Sequence, residues 1–253
     1  MRICVLCMSC NQEIFEYQEM VARNTWIKHL KEENIDVFIY KSGNNEIIDD
    51  IIYCDCEDDL KHTFQKTIIA FNYIKDKYDY IVRTNLTTYI NSKMLICYCE
   101  HMNNNNIDIA CGDICKLNNN YIYRGNSFIM TNEVLQYIIN NDYNNEKFLH
   151  DDLAISEILF NSKFIIDICS LRYYKDTNRK HHIYYLDEIN EENLEGIVFI
   201  SYRIYGEDKK PLYRYFELGL SYQIDSVYMK LENKTLKHDN LIYDLDKSMF
   251  VVQ

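Results

Sequence analysis

Strand-like and helix-like segments alternate along this chain, which predicts an α/β fold with a mainly parallel sheet flanked by helices on both faces. A buried apolar run at residues 3–8 precedes a segment of helical spacing, and strands and helices continue to alternate beyond it. With one proline and six glycines among 253 residues, no Gly/Pro-rich linker marks a domain boundary. We therefore expect a single domain over residues 1–253.

The first half of the chain alternates short apolar runs with segments whose apolar residues recur at helical spacing. After the first strand, Tyr17, Met20 and Val21 fall on one helical face, and Asn34 is a typical helix stop. The predicted strands are residues 3–8, 36–40, 50–55 and 80–83, and the predicted helices are residues 16–33, 62–77 and 92–101.

The second half continues the same pattern. Thr131 or Asn132 can cap a helix, and Pro211 suits the first turn of another. The predicted strands are residues 107–111, 121–130, 163–169 and 196–205, and the predicted helices are residues 131–139, 151–160 and 211–222. Residues 176–182 read as a polar loop, and the C-terminal segment reads as an edge strand or hairpin.

The net charge of −12 argues against a nucleic-acid-binding protein, which needs a basic stripe to displace counterions from phosphates. A few arginines and lysines can still bind a nucleotide locally. No run reaches the roughly 18 apolar residues of a transmembrane helix, and residues 1–8 are apolar too briefly for a signal peptide. We expect a soluble, cytoplasmic protein without a membrane span. Its abundant Asn, Ile, Lys and Tyr indicate an AT-rich genome.

Ten cysteines raise the question of a metal site or a disulfide framework. Cys4 and Cys7 lie three apart in a predicted strand, where their side chains point to opposite faces and do not easily converge on one metal. Two closer pairs lack the spacing of zinc knuckles: Cys54/Cys56 and Cys97/Cys99. Since most of these residues lie in apolar runs, we expect buried, reduced thiols.

Polar residues end the buried strand that begins at Tyr80. Arg83, Thr84 and Asn85 come at its carboxyl end, and in an open α/β sheet ligands bind at that edge. These three residues are therefore candidates for holding a phosphate or a sugar. The alternative is a strand-ending turn with an exposed arginine.

Four groups of short motifs follow one another between about residues 3 and 170. They are Arg23-Asn24-Thr25-Trp26, then Asp58-Asp59-Leu60 before Phe64-Gln65-Lys66-Thr67, then residues 80–86, then Arg124-Gly125-Asn126-Ser127 before His150-Asp151-Asp152-Leu153. This order resembles the beta-1,3-galactosyltransferase and Fringe-like glycosyltransferases in a short form. The resemblance implies a Rossmann-like GT-A domain, with about residues 1–120 binding a nucleotide sugar and about residues 121–253 on the acceptor side.

One motif departs from the family pattern. Where the family places carboxylates that hold a divalent ion on the donor's diphosphate, this chain has Arg83-Thr84-Asn85-Leu86. Hard cations favour oxygen anions, so we assign no metal ligand and expect at most a weakly bound Mn²⁺ or Mg²⁺. Arg83, Arg23 and Lys66 are candidates to neutralise the diphosphate instead, since arginine matches phosphate oxygens bidentately. The alternative for Arg23 and Lys66 is a solvated helix face.

The acidic pair Asp151-Asp152 opens a predicted helix. The resemblance implies that the second acid is the base of an inverting transfer, so Asp152, with Asp151 beside it, is the catalytic candidate. It also implies that Arg124, Gly125 and Asn126 belong to the substrate site. The alternative for the two acids is a pair that stabilises the helix dipole.

Two other segments contain residue types that are common in metal sites. The acidic run Glu57-Asp58-Asp59 precedes the helix that contains Lys66, and we interpret it as a capping and solvated segment. The adjacent histidines His181-His182 lie in a polar stretch, where such residues are more often merely exposed.

We expect a glycosyltransferase of the hexosyltransferase type, which moves a sugar from a nucleotide-sugar donor to a hydroxyl of a glycan or of a protein-linked sugar. Two alternatives stay open. One is a catalytically silent module of the same fold that binds a glycan or a nucleotide sugar, and the other is an oligomeric structural protein without a ligand. The missing metal carboxylates favour the silent module, whereas the retained acid pair favours the enzyme.

Overall fold

The computed structural model describes residues 1–111, 114–117, 120–123, 127–141, 150–160, 162–167, 198–201, 212–233, 241–244 and 249–252. The strands in these residues are β1 (Ile3–Met8), β2 (Asp36–Ser42), β3 (Glu46–Ile48), β4 (Ile51–Cys54), β5 (Tyr80–Asn85), β6 (Thr88–Ile90), β7 (Ile109–Cys111), β8 (Ile114–Leu117), β9 (Asn120–Tyr123), β10 (Ser127–Thr131), β11 (Ile166–Asp167), β12 (Phe199–Ser201), β13 (Leu241–Asp244) and β14 (Met249–Val252). The helices are α1 (Glu13–Asn24), α2 (Trp26–Glu32), α3 (Thr63–Ile74), α4 (Ser92–Asn105), α5 (Asn132–Asn140), α6 (Asp151–Phe160) and α7 (Leu212–Asn233), and a 3-10 turn spans Leu60–His62.

Within the described residues the main sheet has eight strands, in the order β11-β7-β10-β5-β1-β2-β4-β3. Strand β1 pairs in parallel with β2 and β5, strand β2 with β4, and strand β11 with β7. Strand β10 runs antiparallel to β5 and β7, and the edge strand β3 runs antiparallel to β4. Only these two strands oppose the other six, which confirms the predicted mainly parallel sheet.

Helices cover both faces of the sheet, as the alternating pattern predicts. One core contains buried side chains of α1, α2, α4 and α7, and the other contains those of α3, α5 and α6. Because β1 lies between these two layers, its residues Ile3 to Cys7 are buried on both faces, and the strand reads as one continuous apolar run. The α/β fold class is therefore confirmed.

The predicted helix over residues 16–33 is two helices, because the chain breaks at Thr25. This residue leaves the helical region at φ −116° and ψ −109°. Its hydroxyl donates to the carbonyl of Val21 at 2.7 Å and lies 3.2 Å from the hydroxyl of Ser221 in α7. At the break, Thr25 therefore makes a polar contact with α7. The next helix, α2, begins at the fully buried Trp26.

Several predicted boundaries shift in the structure. The predicted strand over residues 121–130 contains two strands with different partners, since β9 pairs with β8 whereas β10 pairs with β5 and β7. The helix predicted over residues 211–222 continues to Asn233, and β12 pairs with β6 rather than joining the main sheet. The short strands β3 and β6 were not predicted. Strand β3 consists of only three residues, all of them exposed. It is joined to β4 through a turn that contains Asp49, which has a φ of 53°.

The expected burial of the cysteines is confirmed for most of those whose side chains the structure describes. These seven are free thiols; Cys4, Cys7, Cys54, Cys97 and Cys99 are buried, and Cys10 and Cys56 are partly buried. Burial raises the pKa of Cys54 to about 12 and that of Cys97 to about 11. These thiols therefore behave as small apolar side chains.

In the described part of the chain, no helix combines the length and the apolar character needed to cross a membrane.

A polar cluster attaches α7 to α2 and β6. The Nε2 atom of His29 lies 2.9 Å from Oδ1 of Asp225, and the hydroxyl of Tyr89 donates to the same oxygen at 2.8 Å. The Tyr89 ring also stacks on Tyr228, with ring centroids 5.3 Å apart. This cluster therefore fixes helix α7 against α2 and β6.

The pKa values of this cluster couple its stability to pH. The hydrogen bond to Asp225 raises the pKa of His29 above its ordinary value, and Glu32 adds to this effect whereas burial and Lys28 oppose it. Burial alone would raise the pKa of Asp225, but the bonds from His29 and Tyr89 lower it below its ordinary value. The raised histidine stabilises the fold below about pH 6.5 and loses this contribution as the pH rises through its raised pKa. The lowered aspartate stabilises above about pH 4 and loses its contribution as the pH falls through its lowered pKa.

We predict that Asp225→Asn lowers the free energy of unfolding by about 1–2 kcal/mol at about pH 5 and by clearly less at about pH 8.5, because His29 loses charge as the pH rises through its raised pKa. The asparagine keeps an acceptor for Tyr89 but removes the charge. Urea denaturation at both pH values measures the difference. The control is Glu32→Gln, which removes the other, 63% exposed partner of His29 and should change stability by under about 0.5 kcal/mol. Equal losses at both pH values would contradict the pairing.

Candidate active site

Four parallel strands end together at one edge of the sheet, which we call the carboxyl edge. Strands β1, β2, β4 and β5 are neighbours, and they end at Met8, Ser42, Cys54 and Asn85. Ligands of open α/β sheets bind at such an edge. The sequence-predicted residues Arg83, Thr84 and Asn85 lie here because β5 extends two residues beyond its predicted end.

Arg83 is buried rather than exposed. Its side chain follows Ile81 on the face covered by α3 and α6, since alternate residues of a strand point to one side. The Nη2 atom lies 2.6 Å from Oδ2 of Asp151, at the start of α6, and the two side chains are 1% and 5% exposed. Arg83 and Asp151 therefore form a buried ion pair that joins the end of β5 to the first turn of α6.

Two further side chains complete this arrangement. The hydroxyl of Thr67 in α3 donates to Oδ2 of Asp151 at 3.0 Å. The hydroxyl of Tyr40 in β2 lies 3.1 Å from that of Thr67, and Arg83 donates a hydrogen bond to Tyr40. One consistent direction of donation runs from Arg83 to Tyr40, from Tyr40 to Thr67 and from Thr67 to Asp151. We call these four side chains the polar ring.

The charges of the ion pair depend on each other. Burial alone would lower the pKa of Arg83, but the carboxylate of Asp151, with smaller contributions from Tyr40 and Asp152, raises it well above its ordinary value. Burial raises the pKa of Asp151, and the guanidinium of Arg83 opposes this effect. Arginine does not lose its proton in proteins, so Arg83 is the fixed positive charge against which Asp151 is held.

Asp152 is placed differently from its neighbour. It lies in the first turn of α6 and is only partly buried, whereas Asp151 is 4% exposed. Its Oδ1 atom accepts a hydrogen bond from the backbone N–H of Leu153 at 2.9 Å. Of the two adjacent acids, Asp151 is therefore buried and paired with Arg83, whereas Asp152 is partly exposed.

Lys66 is also inside the protein at the carboxyl edge. Its ammonium group donates to a carboxylate oxygen of Asp58 and to the carbonyl of Ser9 at 3.3 Å, and its side chain is 3% exposed. Asp58 in turn accepts from the hydroxyl of Ser42 and from the N–H of Asn11. The sequence predicts that Asp58 belongs to a capping and solvated segment; the structure shows it partly buried and bonded to Asn11 after β1, to Ser42 at the end of β2, and to Lys66.

Arg23 lies away from the other two cations. Its guanidinium makes two bonds to Asp50, at 2.6 and 2.7 Å, and Asp50 also accepts from Lys31. These contacts lower the pKa of Asp50 to about 2. Arg23 belongs to α1, which covers the opposite face of the sheet from α3 and α6. The structure therefore does not bring Arg23 together with Arg83.

Asn85 holds the tight turn between β5 and β6. Its Oδ1 atom accepts from the N–H of Thr87 at 3.1 Å, from the Thr87 hydroxyl at 2.8 Å and from the Thr88 hydroxyl at 3.3 Å. Such side-chain turns are typical of asparagine. Thr84 is fully buried on the other face of β5. In the described residues the amide nitrogen of Asn85 has no hydrogen-bond partner, so it is a donor available at this edge.

These residues do not suit a divalent cation. The side-chain oxygen of Asn85 already accepts three bonds, Thr84 is buried, and Leu86 offers no ligand. Elsewhere in the described residues, the exposed Glu57 and Asp59 and the partly buried His62 bring ligand atoms within 4.8 Å of one another. Asp59 there accepts from the N–H groups of Lys61 and His62, as a cap of the 3-10 turn, which agrees with its predicted capping role.

Some predicted residues lie outside the described part of the chain. These are Arg124, Gly125 and Asn126 from the substrate prediction, and His181 and His182. Among the described candidates, the structure brings Arg83, Asp151 and Asp152 together. Sequence reasoning missed Tyr40 and the polar contact of Thr67, although Thr67 belongs to the Lys-Thr motif that carries the resemblance.

No protein-family model matches the chain, and no curated protein matches it. Among solved structures the chain is similar to a glycosyltransferase involved in the glycosylation of the major capsid of PBCV-1, with a TM-score of 0.49 and 9% identity over 88% of this chain and 99% of that one. It is also similar to S. aureus TarS in complex with UDP-GlcNAc, with a TM-score of 0.47 and 10% identity over 82% of this chain and 60% of that one. A third likeness is to A197 from STIV, with a TM-score of 0.38 and 14% identity over 62% of this chain and 77% of that one. None of these TM-scores establishes a family or an activity for this chain.

We predict that Asn85→Ala lowers the free energy of unfolding by about 1–2 kcal/mol, because three donors lose their acceptor in a partly buried turn. The matched variant Asn85→Asp keeps the acceptor oxygen and should stay within about 0.5 kcal/mol of the wild type. Chemical denaturation of both variants measures this difference. A full loss in Asn85→Asp, or none in Asn85→Ala, would show that the turn does not depend on this oxygen.

Proposed function

We propose that this chain is a glycosyltransferase that moves a sugar from a nucleotide-sugar donor to a hydroxyl group of a glycan or a protein-linked sugar. One observation carries the proposal. Of two adjacent acids beside the carboxyl edge, Asp151 is neutralised in the interior and Asp152 stays accessible to solvent. A general base must reach the proton that it removes, so the pair contains one acid suited to this task. The order of short motifs along the chain supports the same assignment.

In the proposed reaction, the acceptor oxygen attacks the anomeric carbon while the bond between that carbon and the diphosphate oxygen breaks. The leaving nucleoside diphosphate takes the electron pair, and the proton of the acceptor hydroxyl passes to the carboxylate of Asp152. Attack opposite to the leaving group inverts the configuration at the anomeric carbon. The base needs to lie within about 2.6–3.2 Å of the acceptor hydroxyl in the reactive complex.

The donor is proposed to lie at the carboxyl edge, against residues of the first 120 positions, with the acceptor held by residues 121–253. The amide nitrogen of Asn85 is one donor for a phosphate oxygen. Lys66 is a second, if a phosphate oxygen replaces Asp58 as its partner. Arg83 contacts a diphosphate only if its ion pair with Asp151 opens, because its side chain is 1% exposed. We propose no metal-dependent step, since Thr84, Asn85 and Leu86 do not suit a cation.

A silent binding module of the same fold is the second candidate. The observation in its favour is that each of the three predicted cations already has a carboxylate partner: Arg83 with Asp151, Lys66 with Asp58, and Arg23 with Asp50. When these cations are already paired with carboxylates, the carboxyl edge binds a diphosphate less strongly than it would with unpaired cations. The two candidates differ in whether bound donor is turned over.

A thermal-shift screen of UDP-, GDP- and TDP-sugars, each with and without Mn²⁺, identifies the donor first. A ligand that binds only the native state raises stability by RT ln(1 + [L]/Kd), so the correct nucleotide sugar should give the largest shift. Acceptors are then tested with that donor by following release of the nucleoside diphosphate.

We predict that Asp152→Asn lowers turnover about 10²–10⁴-fold and leaves donor affinity nearly unchanged, because asparagine keeps the shape of the side chain but does not take up the proton. Single-turnover transfer and donor titration measure the two effects separately. The matched control is Glu157→Gln, which removes an exposed carboxylate from the same helix and should leave turnover within about 2-fold. Undiminished turnover in Asp152→Asn would exclude this residue as the base, and donor binding without transfer in the wild type would favour the silent module.

A further inference from the structure

The polar ring joins four elements of the fold and includes Asp151, the residue before the candidate base. Arg83 comes from β5, Tyr40 from β2, Thr67 from α3 and Asp151 from α6. All four side chains are buried, with Arg83 and Asp151 at 1% and 5% exposure and Tyr40 and Thr67 fully covered. A ring of this kind fixes where each member lies relative to the others, since every hydrogen bond constrains an angle as well as a distance.

Stability alone does not explain a charged pair in this place. The pair is buried on the face of the sheet that α3, α5 and α6 cover. Removing two charges from water is expensive, and a buried ion pair replaced by apolar side chains of similar volume is often as stable or more stable. What an ion pair supplies beyond apolar packing is a defined geometry between its partners.

The first turn of α6 is the part of the helix that needs such a constraint. The buried apolar residues of α6 begin at Ala154 and continue with Ile155, Ile158 and Leu159. The Oδ1 atom of Asp152 accepts a hydrogen bond from the N–H of Leu153 in the same helix. The side chain of Asp151 connects this turn to β5 and α3, through Arg83 and Thr67.

We propose that the polar ring positions the carboxylate of Asp152, with Arg83, Asp151, Thr67 and Tyr40 as positioning residues rather than substrate ligands. The inference rests on the proposed function, in which Asp152 is the base. Asp152 is the next residue after Asp151, so fixing the side chain of Asp151 fixes the backbone that carries the base. A displacement of about 1 Å in a reacting group can cost about 100-fold in rate.

The test replaces the ion pair by apolar residues in the double variant Arg83→Met/Asp151→Leu, which leaves no unpaired charge in the core. We expect a cooperatively folded protein whose donor affinity stays within about 3-fold of the wild type. Its turnover should fall about 10–100-fold, because the base is still present but no longer held in place. Circular dichroism, donor titration and single-turnover transfer provide the three readouts.

A cycle with Asp152→Asn separates positioning from an independent role. If the ring acts through Asp152, adding the double variant to Asp152→Asn should cause less than about 3-fold further loss of turnover. Losses that multiply would overturn the inference, because the pair would then act on the reaction without Asp152. A large loss of donor affinity in the double variant would also overturn it and would return Arg83 to the donor site.

Amide hydrogen exchange tests the structural step without any substrate. In the double variant, the amides of residues 154–158 should exchange at least about 10-fold faster than in the wild type, while those of α3 stay protected. If the double variant does not fold, Tyr40→Phe removes one hydroxyl from the ring, keeps both charges and should change exchange and turnover in the same directions to a smaller degree. Unchanged exchange in the folded variants would overturn the inference, whereas faster exchange with undiminished turnover in Asp152→Asn would overturn only the base assignment.

Discussion

The ion pair between Arg83 and Asp151 is the interaction on which the candidate site depends. Its two charged groups are 2.6 Å apart, and they join the end of a central strand to the start of a helix in the interior of the protein. The ion pair assigns both residues to the interior of the protein, since a buried arginine that is paired with a carboxylate does not bind a ligand unless the pair opens. It also decides the role of the neighbouring residue, because Asp152 is left as the accessible acid beside the carboxyl edge.

A second cation at the carboxyl edge is also paired with a carboxylate. Lys66 donates to Asp58. Asp58 also accepts hydrogen bonds from the N–H of Asn11, after β1, and from the hydroxyl of Ser42, at the end of β2. Charged residues that look like ligand contacts in the sequence thus build the framework of the edge. Because these cations already have carboxylate partners, a donor at this edge would depend on hydrogen bonds, such as one from the Asn85 amide, at least as much as on charge.

The sequence predicted the features that depend on local patterns. Alternating apolar runs and helical spacing predicted the sheet with helices on both faces, and Thr131 caps α5 by accepting from the N–H of Val134. Features that depend on distant partners were missed. Nothing near Arg83 indicates that Asp151 will neutralise it, and nothing near Arg23 indicates Asp50. The break at Thr25 also depends on a distant element, since its hydroxyl meets Ser221 of α7. Strands β3 and β6 are three residues each, too short for a period to show.

The most direct measurement of the central claim is the nitrogen-edited NMR spectrum of the Arg83 guanidinium in the ligand-free protein, assigned by comparison with Arg83→Lys. A buried guanidinium bonded to a carboxylate exchanges its protons slowly with water and rotates slowly about its terminal bonds, because each hydrogen bond must break for either motion. We expect separate, slowly exchanging Nη proton signals for Arg83 that persist when nucleotide sugar is added. Averaged, rapidly exchanging signals, or signals that shift strongly on addition of the nucleotide sugar, would contradict it.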